Sequence, residues 1–72
     1  MKWADVRILC GTDILVERRY DIEAGVPKMQ ATLDVMYAAS LRPNQQLTMT
    51  FTDPDTGREL LAPIIATPPR QG

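Results

Sequence analysis

The chain has no histidine and only one cysteine in its 72 residues. Without histidine the commonest general base is missing. The remaining carboxylates alternate with basic residues along the chain instead of converging, so an enzyme acting alone is not expected. Cys10 has no second cysteine for an intramolecular disulfide and no histidine to activate it. It is read as a small packed side chain in a reducing, cytoplasmic compartment. Charge of one sign is also missing: eight basic and nine acidic residues leave a net charge of −1. That balance supplies no electrostatic footprint for nucleic acid or an anionic membrane. No apolar run approaches the roughly 20 residues of a membrane span. The opening MKWADVRILCGTD interrupts its apolar residues with Asp5 and Arg7 and has no signal-peptide character. Asp53, Asp55 and Glu59 surround a turn and lack the calcium-loop pattern, and Arg18, Arg19 and Arg58 have acidic neighbours, so neither metal nor phosphate is expected. No cofactor is implied.

What is present is alternation. A chain of 72 residues holds one domain and one core, and a domain this small buries only about 60% of its unfolded surface, so a partner or self-association would help it. From Ala4 to Ile22 the even positions are mostly apolar and the odd ones mostly polar, which reads as a half-buried hairpin. A three-residue loop, Gly11-Thr12-Asp13, sets Cys10 opposite Ile14, Ile8 opposite Val16 and Ala4 opposite Tyr20, and brings Arg7 to Glu17 and Asp5 to Arg19. Arg18 is the exception on the inner face and is read as a rim residue whose guanidinium reaches water.

The second hairpin, Leu47 to Ala66, turns at Asp53-Pro54-Asp55-Thr56-Gly57-Arg58, with proline preset for a turn and glycine for a positive φ. Leu47, Met49 and Phe51 alternate with threonines, and Ile64, Ala62 and Leu60 are expected opposite them. Leu61 and Ile65 add apolar residues on the other face, and Pro63 removes one ladder donor. Between the hairpins, Pro27 to Leu41 reads as a helix closed by Arg42-Pro43. Met29, Leu33, Met36, Tyr37 and Ser40 form its expected sheet-facing stripe. Ala31, Val35 and Ala38 fall on the opposite side, and between Pro27 and Leu41 only Lys28 and Asp34 carry charge. The expected core is Val6, Ile8, Val16, Tyr20, Ile22, Leu33, Met36, Met49, Phe51 and Leu60. The fold class is α+β: a ββαββ chain with a four-stranded, mainly antiparallel sheet and one helix on one face, in a domain over residues 1–66 with an extended tail at 67–72.

The segments Arg19-Tyr20-Asp21-Ile22-Glu23-Ala24-Gly25, Thr32-Leu33-Asp34-Val35-Met36 and Leu47-Thr48-Met49-Thr50-Phe51 resemble in cadence the β-grasp superfold of ubiquitin and plant-type ferredoxins. The resemblance implies a last strand lying centrally and parallel to the first. The four cluster cysteines of those ferredoxins have no counterpart here, so no ligand set carries over. Ubiquitin-like modifiers and sulfur carriers end in Gly-Gly, whereas this chain ends Gln71-Gly72.

Three functional expectations follow. The first is a non-catalytic protein-binding module, an accessory subunit, adaptor or inhibitor, that binds another protein or its own copy. Its contacts would be Ala31, Val35 and Ala38 on the outer helix face and Trp3, Leu9, Leu15, Leu61 and Ile65 on the outer sheet. The second is a modifier or sulfur carrier working through Gly72. The third, ranked last, is a nucleic-acid binder stacking bases on Trp3 and Tyr20.

Overall fold

Period-two alternation produces two hairpins, and the uninterrupted helix-compatible run between them joins one to the other. The computed structural model describes residues 1–67. Its elements are β1 (Trp3–Cys10), β2 (Asp13–Asp21), α1 (Lys28–Leu41), β3 (Leu47–Thr52) and β4 (Glu59–Ala66). The strands form one sheet in the order β2-β1-β3-β4, with every neighbouring pair antiparallel. The ββαββ, α+β reading is therefore the observed one.

Strand order departs from what the β-grasp resemblance implies. β4 lies at an edge, antiparallel to β3, and β3 takes the place beside β1. The turn after β3 explains this. Asp53 Oδ1 accepts the backbone N–H groups of Asp55 and Thr56, its carbonyl accepts the N–H of Gly57, and Gly57 has φ 74°. This closed turn folds β4 directly back onto β3. The apolar residues on both sides of β4 consequently do not mark a covered central strand, because Leu61, Ile64 and Ile65 are exposed.

Two registers are corrected locally. Ile8 does face Val16 and Ala4 does face Tyr20, but Cys10 pairs with Asp13 and Leu9 with Ile14. The loop is the two-residue Gly11-Thr12, with Gly11 at φ 61° as a tight hairpin turn favours, and a bulge at Leu15 absorbs the extra residue. In the second hairpin Ile64 faces Met49 and Ala66 faces Leu47. Ala62 and Pro63 together oppose Thr50, so the proline sits in a bulge where the ladder is already broken.

The core comprises Ala4, Val6, Ile8, Val16, Tyr20, Ile22, Ala38, Leu47, Met49 and Phe51, with Leu60 packed against it. Phe51, Ile8 and Val6 are its largest fully buried side chains. Leu33 and Met36, expected there, are exposed. The helix has turned its other side to the sheet. Pro27 caps it from just outside, its carbonyl accepting the Ala31 N–H at 2.9 Å, and Arg42 N–H closes the far end on the Ala38 carbonyl. The expected tail falls, apart from Thr67, outside the described residues.

Candidate binding surface

The orientation of α1 decides which surface the molecule presents. Asp34, Ala31, Val35 and Ala38 lie at helical spacings of three and four on one side, and that side faces the sheet. Ala38 is fully buried and Ala31 and Val35 pack against the core. The placement of these three on an outer helix face is thereby corrected: they lie on the side that packs on the sheet. Small side chains let the helix come close to β2 and β1, and that approach brings Asp34 to Tyr20. The buried Tyr20 hydroxyl donates to Asp34 Oδ2, while Gln30 Nε2 and Arg18 Nε donate to Oδ1 at 3.1 Å and 3.4 Å. Burial first, and then the Asp34 carboxylate, push the Tyr20 phenol above its ordinary range, with Arg18 acting in the opposite sense. Arg18 is thus an ion-pair partner of the helix as well as a half-exposed rim residue. Among the described residues no buried side-chain polar atom lacks a partner.

The other side of α1 carries the large apolar residues. Met29 is 80% exposed, Met36 62%, Leu33 56% and Tyr37 55%, and Leu41 continues the stripe at the helix end. Beside this ridge runs a trough. Two adjoining cavities of about 210 and 270 Å³ share Val35 and Met36 as lining and continue onto Leu47, Met49, Ile64 and Ala66 of β3 and β4. Their exposed lining surface is overwhelmingly apolar, and among the described residues Arg42 is its one charged member.

The outer-sheet residues are scattered by comparison. Leu9 and Ile65 share a row through Thr48, with Ile14 beyond Leu9. Trp3 stands near the opposite end of the sheet, opposite Asp21, and Leu61 sits beside Phe51 next to the β4 bulges. Leu15 is not on the open face: the bulge turns it against the core. Trp3, Leu61 and Ile65 are exposed and Leu9 is half-buried.

Cys10 Sγ donates to Gln45 Oε1 at 3.0 Å as a partly buried thiol. Among the described residues no group of three or more Cys, Asp or Glu side chains is placed to hold a metal ion. Tyr20 is buried and bonded to Asp34, which removes it as a base-stacking platform. Gly72 lies outside the described residues. Among the described residues no helix is long and apolar enough to cross a membrane. The missed feature is the Met29, Leu33, Met36, Tyr37 ridge, and its signal was the pairing of Asp34 on the small-residue side of α1 with Arg18 on the inner face of β2. Comparison with family models, curated proteins and solved structures finds no match for this chain.

Proposed function

We propose that this protein is a non-catalytic protein-binding module, an accessory subunit, adaptor or inhibitor, that engages another polypeptide through the outward side of α1 and the trough beside it. One observation carries this reading: a helix without amphipathic character keeps its small residues and its only mid-helix charge, Asp34, inward and holds large apolar side chains outward. Exposed apolar surface concentrated in this way marks an interaction site more often than a free surface. Methionine adds adaptability, since its unbranched side chain fills irregular contacts. The Leu9–Ile65 row on the far side of the sheet is a smaller second contact. A lone thiol hydrogen-bonded to Gln45 suits a reducing compartment such as the cytoplasm.

The test is Met36→Glu, which places a charge on the exposed ridge without touching the core. Its circular dichroism should match wild type, while association with the bound polypeptide falls by about tenfold or more, about 1.4 kcal/mol. Unchanged association would refute the ridge as the contact.

A further inference from the structure

The ridge and the trough are both apolar and lie side by side. Strands lie about 4.8 Å apart, so the four-stranded sheet measures on the order of 15 Å between its outer strands, whereas a helix with side chains is about 10 Å across. One helix therefore covers only part of the sheet. α1 lies across β2 and β1, and among the described residues the apolar trough is what lies over β3 and β4. Met29, Leu33, Met36 and Tyr37 of α1 are exposed on the side turned away from its own sheet.

We propose that the occupant of this surface is a second copy of the chain, in a twofold dimer that holds both α1 helices between two sheets. Each helix packs Ala31, Val35 and Ala38 on its own sheet and inserts Met29, Leu33 and Met36 into the trough over β3 and β4 of the other copy. The inference rests on the binding reading above and names its partner. Three observations favour a second copy. Every chain carries both ridge and trough, which is the self-complementarity that an isologous contact requires. Between Lys28 and Arg42 the helix carries no charge except the inward Asp34, so the face meets its own image without like-charge repulsion. At their observed exposures Met29, Leu33, Met36, Tyr37, Leu41 and Ile64 present on the order of 700 Å², close to the roughly 800 Å² per partner of a stable interface.

Sedimentation equilibrium of the full chain across the micromolar range, together with a photo-crosslinker at position 33, tests this. The expected result is twice the chain mass, self-association weakened about 100-fold in both Leu33→Glu and Met36→Glu by burial of an unpaired charge, and a covalent dimer linked to β3 or β4 of the other copy. A wild-type monomer, or a dimer indifferent to both glutamates, overturns the inference. If the monomeric chain instead crosslinks from position 33 to a different polypeptide in host extract, the binding reading survives and only the second copy fails. A monomer that crosslinks to nothing sinks both.

Discussion

The Tyr20 hydroxyl on β2 donates its hydrogen to Oδ2 of Asp34, a carboxylate at mid-helix that is only 4% exposed. This bond spans the two layers of the fold, and it pins the rotation of α1 about its own axis. Removing one partner strands the other in a dry site. Asp34→Ala should lower stability by roughly 1–3 kcal/mol, the penalty of a buried hydroxyl left unpaired. Urea denaturation measures it, and a midpoint equal to wild type would show that water replaces the carboxylate freely.

The same pair produces a pH dependence on the alkaline side. In the unfolded chain the Tyr20 phenol ionises near its ordinary value of 10.0, but in the folded protein burial and Asp34 hold the proton to higher pH. Above about pH 10 the native state thus binds more protons than the unfolded one, and stability falls as pH rises, by up to about 1.4 kcal/mol per pH unit. Below that pH the contribution is complete and constant. Thermal midpoints at pH 9, 10 and 11, in wild type and Tyr20→Phe, read the effect. Equal alkaline slopes in the two proteins would contradict it.

Core and ridge positions should separate cleanly. Phe51 is fully buried, and Phe51→Ala is expected to cost about 3–5 kcal/mol, much of the stability of so small a domain. Ala38 is equally buried against the sheet, so Ala38→Arg forces a long charged side chain into the layer contact and should prevent folding. Circular dichroism shows either outcome directly. An Ala38→Arg protein with native spectra would mean that α1 can rotate to its other face.

Strand order has its own signature in amide exchange. β1 and β3 are paired on both sides, whereas β2 and β4 are edges. Backbone amides of Val6, Ile8, Met49 and Phe51 should exchange slowest, and the outward amides of β4 should exchange within the fast set. Slow exchange throughout β4 in the monomeric protein would require a central strand there.

Much of the fold was legible in the residues themselves. Alternation with a period of two sets strand identity, and the Asp53 to Arg58 turn and the Arg42-Pro43 stop place the boundaries, because these are properties of neighbouring residues. The inner faces of β1, β2 and β3 were equally readable, since a one-residue slip would expose Ile8, Val16 or Phe51. The bulges at Leu15 and Pro63 were not, because a bulge costs little locally and is chosen by the strand opposite. The sheet-facing side of α1 was inverted for a related reason. Hydrophobicity ranks Met29, Leu33 and Met36 above Ala31, Val35 and Ala38 as core, but periodicity describes a helix in isolation and contains no knowledge of what β2 presents to it. Tyr20 and Arg18 need a carboxylate within reach and a helix close enough to deliver it, and only the small-residue side of α1 offers both. Sequence alone therefore determined the elements and most of their inward faces. Which side of the helix meets the sheet was decided by contacts between residues far apart in the chain: Ala31, Val35 and Ala38 let the helix approach the sheet, and Asp34 beside them takes the hydrogen bonds of Tyr20 and Arg18.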